Sequence, residues 1–154
     1  MRRIIARILV IVMAIGLISS NAINAKAVET AEQVDGSYLL EDDSSVGTAV
    51  PLTRGIYLKS GTSVIRKTGY NSIAAGGDTI AQKTVSKIAI TVEVQWLVSG
   101  SWKTLTTWSV TKTNTTDVST SKTLTVPNGH FYRVYCRHYA NSDSSGSFTN
   151  GIYI

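Results

Sequence analysis

The chain has 154 residues, 43% of them hydrophobic and 16% charged, with one Cys, two His and two Pro. This length suits a single domain, and a lone thiol excludes an intrachain disulfide. The formal charge of +5 invites a polyanion partner, but its meaning depends on where the charges lie.

Arg2, Arg3 and Arg7 precede an apolar run from Ile8 to Ile18, and a polar stretch then leads to the small-x-small sequence Ala25-Lys26-Ala27. This is the layout of a secretory signal peptide over 1–27 and predicts a secreted, extracellular protein. The eleven-residue run is short of the roughly 20 residues that a membrane span needs. Cleavage takes four of the fifteen basic residues and leaves eleven against ten acidic ones, a net charge of +1. Most of the excess charge therefore belongs to the signal, and nucleic acid is not an expected partner.

Residues 28–53 hold Glu29, Glu32, Asp35, Glu41, Asp42 and Asp43 and no base, whereas from Arg54 onward eleven basic residues face four acidic ones, a net +7. Low hydrophobicity and clustered like charge predict a disordered acidic leader. The alternative is a pro-segment that docks on the basic domain through Tyr38-Leu39-Leu40.

From Arg54 to Ile154 the chain alternates apolar and polar residues with a period of two, rich in Ser, Thr and β-branched types and punctuated by Gly and Asn. Strands are expected near 55–59, 62–68, 77–83, 86–98, 102–111, 118–126, 130–140 and 147–154. Seven or eight antiparallel strands at this spacing make an all-β sandwich over 54–154, of immunoglobulin-like or related topology. Gly76-Gly77-Asp78 reads as a turn. The last segment, Ser147–Ile154, reads as an exposed edge open to pairing with a second copy.

Ile88, Ile90, Val92, Val94, Trp96 and Val98 share one face of their strand, and Trp102, Trp108 and Val110 share one face of the next. A three-residue loop Ser99-Gly100-Ser101 sets Val98 opposite Trp102, Val92 opposite Trp108 and Ile90 opposite Val110, which places all three tryptophans on the core side. Pro127-Asn128-Gly129 turns into His130–Ala140, whose even side, Tyr132, Val134, Cys136 and Ala140, suits the core. Its odd side is Phe131, Arg133, Tyr135, Arg137 and Tyr139, the candidate binding residues. Alternating arginines and aromatic rings can stack on sugars or pair with anionic groups; on an outer sheet face they also make ordinary cross-strand pairs.

Arg54-Gly55-Ile56-Tyr57-Leu58, Gly100-Ser101-Trp102 and Gly129-His130-Phe131-Tyr132-Arg133-Val134 with His138 give the region 54–154 a resemblance to a family of small all-β proteins. It is similar to proteins secreted by Gram-positive bacteria of the clostridial and bacillus groups, a family without an established activity. The resemblance implies a secreted β domain and supplies no catalytic residue. Cys136 stands where such sequences often carry another small residue.

No catalytic or metal set emerges. Cys136 and His138 lie two apart on one strand, about 6.6 Å along the axis, too far for a direct thiol–imidazole hydrogen bond. His130 and His138 alone make no zinc site. Asp78, Glu93, Asp117 and Asp143 fall on separate segments, and Asp117 and Asp143 read as turn residues. No enzyme, cofactor or metal is expected. Two functions remain: an extracellular module that contacts a cell-wall glycan or anionic polymer through the Arg/Tyr face, or a membrane-acting toxin or antimicrobial protein that inserts the Ser/Thr-rich strands of Thr104–Thr125. Membrane contact is expected only under the second. Oligomeric state is left open.

Overall fold

A computed structural model of the chain describes residues 31–49 and 55–154. The expected signal peptide, 1–27, lies outside the described residues. Eleven strands form: β1 (Gln33–Val34), β2 (Ser37–Leu40), β3 (Ser44–Ala49), β4 (Leu58–Gly69), β5 (Ser72–Val85), β6 (Ile88–Val98), β7 (Ser101–Lys112), β8 (Thr115–Thr125), β9 (Phe131–Ala140), β10 (Asp143–Phe148) and β11 (Gly151–Tyr153). The expected all-β class holds, as two sheets packed face to face. The larger runs β1-β2-β11-β9-β6-β7, with β10 also paired to β9, and the smaller runs β3-β4-β5-β8. The β2–β11 pairing is parallel, so the large sheet is mixed.

The core lies where the inward rows meet. Ile88, Ile90, Val92 and Val94 of β6 and Tyr132, Val134, Cys136 and Ala140 of β9 face Leu58, Ile65, Ile73, Ala75, Thr79 and Val118 of the small sheet. Each buried aliphatic side chain contributes roughly 1.5–3 kcal/mol. Gly61 and Gly77 let the small sheet come close: a Cβ on Gly61 would overlap the His138 ring, and one on Gly77 would sit 3.1 Å from Cys136 Sγ.

Several expectations are corrected. Residues 31–49, expected as part of a disordered leader, carry β1–β3 and form one compact unit with the rest of 31–154. The six acids hide a period-two pattern too short to outweigh composition: Ser37 and Ser45 are buried, and Leu39 packs beside Trp102 at Gly151. The segments 55–59 and 62–68 merge into β4, because Gly61 is an inward residue of the strand and not a break. Gly76-Gly77-Asp78 is mid-strand in β5, where both neighbouring strands pass close to the glycines. Most of Ser147–Ile154 is no free edge: β11 lies between β9 and β2, while Ser147 and Phe148 end β10, which pairs with β9 alone; Thr149 bridges β10 and β11, its N–H donating to Val134 O (2.9 Å) and its hydroxyl oxygen accepting from Val134 N (3.0 Å).

The β6–β7 turn has two residues, Ser99 (φ 52°) and Gly100 (φ 73°), with Val98 opposite Ser101 and Leu97 opposite Trp102. This matches the primed turns that suit strand twist. A bulge at Leu105 then restores the expected pairs Val92–Trp108 and Ile90–Val110. Trp96 and Trp108 therefore pack against the core, as expected, while Trp102 stands on the outer face, contrary to expectation. The Ser/Thr-rich stretch forms β7 and β8, which belong to different sheets.

Candidate functional site

The outward row of β9 meets the outward row of β6 in register: Tyr139 with Ala89, Arg137 with Thr91, Tyr135 with Glu93 and Arg133 with Gln95. All five sequence-predicted residues thus lie on one face, but their surroundings differ. Phe131 packs edge-on against Tyr153, ring centroids 5.2 Å apart. The Arg133 guanidinium sits between Trp102 and Phe148, 4.6 and 5.6 Å from the ring centroids. Its Nε donates to Gln95 Oε1 (2.7 Å), and one terminal nitrogen donates to Asp35 O (3.1 Å) and Ser37 Oγ (2.9 Å). Burial pushes its pKa down, while Asp35 and Glu93 act in the opposite direction. Arg133 therefore clamps the β1–β2 hairpin onto the sheet, with its Nε and one terminal nitrogen committed there.

Arg137 pairs with Glu93 Oε2 at 3.5 Å and lies over the Tyr135 ring, 5.9 Å from its centroid. Glu93 Oε1 also accepts from Gln95 Nε2 and Thr104 Oγ1, both at 2.6 Å. Burial raises the Glu93 carboxyl, but these hydrogen bonds and the Arg137 charge outweigh it and hold the group below the usual carboxylate range. At 3.5 Å, with Arg137 half exposed, the Arg137–Glu93 pair is a weak contributor to stability. It does neutralise part of the stripe, so the face is less cationic than its arginines imply.

The open half of the stripe is at Tyr139, which is 38% exposed. Beside it runs a groove of about 330 Å³ along β6, at the small end of the roughly 300–1,000 Å³ typical of ligand pockets. Ala89 and Thr91 form its floor, Tyr139 one wall, and Ser109 and Thr111 of β7 the other. Lys87 and Asn141 close one end. Thr91 and Ser109 share a 2.8 Å hydrogen bond. Asn141 Oδ1 accepts from Ser86 Oγ (2.9 Å) and Lys87 N (3.1 Å), so its oxygen is held within the protein and its amide N–H groups are left to donate. Lys87, Ala89, Thr91, Ser109, Thr111 and Asn141 were not singled out from sequence. Ala89 was the available signal: it is the smallest outward residue on β6, directly across from a tyrosine.

Burial sets the chemistry of Cys136 and His138. Cys136 is fully buried, its Sγ lies 3.7 Å from Gly76 O, and desolvation, then Asp78, pushes the thiol up to about 12. His138 is fully buried between Thr79 Oγ1 at Nδ1 and Ser147 Oγ at Nε2, both at 2.8 Å. Desolvation lowers it to about 4, with Asp78 opposing. Asp143 begins β10, and its Oδ2 accepts from Tyr57 N (2.7 Å) and Leu58 N (3.0 Å). The Leu58 and Tyr57 amides hold that carboxyl low. Asp117 lies within β8, 3.9 Å from Lys112 Nζ. Among the described residues no group of three or more His, Cys, Asp or Glu could hold a metal ion.

No curated protein matches the chain. Among solved structures, it is similar to chicken MD-1, crystallised in complex with lipid IVa, at 11% identity and a TM-score of 0.34, over 75% of this chain and 94% of that one. A family model described as a family of unknown function (DUF6147) matches residues 23–152, and the chain belongs to that family.

Proposed function

We propose that this protein is an extracellular binding module that takes a sugar unit of a cell-surface glycan into the groove beside Tyr139. The observation that supports this most is the meeting of one half-exposed aromatic ring with a hydroxyl-lined floor and wall. A tyrosine face offers apolar surface to the C–H face of a sugar ring, while Thr91, Ser109, Thr111, Asn141 and Lys87 offer donors and acceptors to its hydroxyls. The internal pairing of Arg133 and Arg137 favours a glycan over a polyanion.

The test is co-sedimentation of the full chain with purified Gram-positive cell walls, before and after the anionic polymers are stripped. Stripping should leave binding intact, and Tyr139→Ala should reduce it at least fivefold without changing the thermal midpoint. Loss of binding on stripping, or unchanged binding by Tyr139→Ala, overturns the proposal.

A further inference from the structure

The outer face of the small sheet carries a second trough. Register places Arg66 beside Ala74, Val64 beside Gly76 and Thr62 beside Asp78. On the other side of β5, Gly76 is beside Ser121 and Asp78 beside Ser119. The outward row of β5 is thus Ala74, Gly76, Asp78: two residues with almost no side chain, then a carboxylate. Gly76 is fixed by the fold itself, because a Cβ there would overlap the backbone at Thr120. The result is a cavity of about 470 Å³ along β5. Val64 and Arg66, with Val46 behind them, make one wall, and Ser119 and Ser121 the other.

The two ends carry opposite charge. Arg66 is exposed, and among the described residues no carboxylate forms an ion pair with it. Asp78 accepts a hydrogen bond from Thr62 on Oδ1, which leaves Oδ2 for a ligand. Ala74 and Asp78 are four residues apart, about 13 Å of strand. An extended tripeptide spans about 10 Å, within reach of both charged ends once the length of the Arg66 side chain is counted. Val46, 64% exposed, and Val64 supply apolar surface between the ends. No aromatic ring lines the trough, so it lacks the stacking surface of the Tyr139 groove.

We propose that this trough binds a short zwitterionic peptide with small apolar side chains, its ammonium at Asp78 and its carboxylate at Arg66. The site is independent of the glycan groove, which lies on the other sheet. The test is an amide chemical-shift titration of the full chain with tri-alanine, N-acetyl-tri-alanine, tri-alanine amide and, as a neutral sugar control, chitotriose. Tri-alanine should shift Ala74, Gly76 and Ser121, and blocking either terminus should weaken it roughly tenfold, the worth of one charge-assisted contact. Ala74→Leu should fill the trough and abolish the shifts. Arg66→Glu, an exposed change that leaves the core intact, should make tri-alanine bind no better than its amide. Tyr139→Ala should change nothing. Absence of shifts at these residues, equal binding of the blocked peptides, or the same shifts with chitotriose overturns the proposal.

Discussion

His138 spans the sandwich: it belongs to β9, while its hydrogen-bond partners Thr79 and Ser147 belong to β5 and β10. A fully buried imidazole with hydroxyls on both nitrogens is satisfied when neutral, and protonation would place an unpaired charge in the core. Its folded pKa of about 4 lies below the ordinary 6.5, so the unfolded chain binds the proton first as pH falls. Stability is therefore full above pH 6.5 and declines as pH drops to about 4, by about 3 kcal/mol in all. Urea midpoints measured across that window should fall steadily in the native protein and stay level in a His138→Gln variant down to about pH 5, below which the depressed carboxyls of Glu93 and Asp143 lower both. A level profile in the native protein would show that His138 takes up its proton without cost. Alternation along β9 put Cys136 on the core side, but it could not show that Cys136 and His138 are both fully buried. That follows from Gly61 and Gly77 on the opposite sheet, whose missing side chains admit them.

The β1–β2 hairpin shows how one element depends on residues far from it. Its turn, Asp35 (φ 46°) and Gly36 (φ 80°), suits an aspartate and a glycine. Two residue pairs join its strands and two more join β2 to β11, so backbone bonds alone hold it weakly. Trp102 Nε1 donates to Val34 O at 3.0 Å, and Arg133 donates to Asp35 O and Ser37 Oγ. Arg133→Ala removes the stacked cation and its hydrogen bonds together and should cost about 2 kcal/mol. Limited proteolysis should then cut within 31–43 well before the rest of the chain. Equal protease resistance in variant and native protein would mean that the clamp is dispensable. The sequence marked Arg133 as a binding residue because alternation fixes a side chain's face and not what covers that face. In the β6–β7 pair the hydrophobic match gave the right partners for Val92 and Ile90 but misplaced Trp102, since a bulge at Leu105 absorbs the residue that a longer loop was expected to supply.

At the scale of the whole molecule, the two sheets turn small residues to the same use on their outer faces. Ala89 opens a groove on the large sheet, and Ala74 and Gly76 open a trough on the small one. The strands and the face carrying Phe131, Arg133, Tyr135, Arg137 and Tyr139 could be read from alternation. The sheet order β1-β2-β11-β9-β6-β7 could not, because it depends on long-range pairing, and the groove appears only once β9, β6 and β7 are side by side. The acidic residues near the start of the described region also misled, since Glu32, Asp35, Glu41, Asp42 and Asp43 are exposed residues that flank β1, β2 and β3 and do not lie within them. Amide chemical-shift mapping of the full chain with a solubilised cell-wall glycan decides whether the Tyr139 groove takes a sugar. The largest shifts should fall at Ala89, Thr91, Ser109, Thr111, Tyr139 and Asn141 and vanish in Tyr139→Ala. Shifts centred on the small sheet, or none at all, would contradict the proposal.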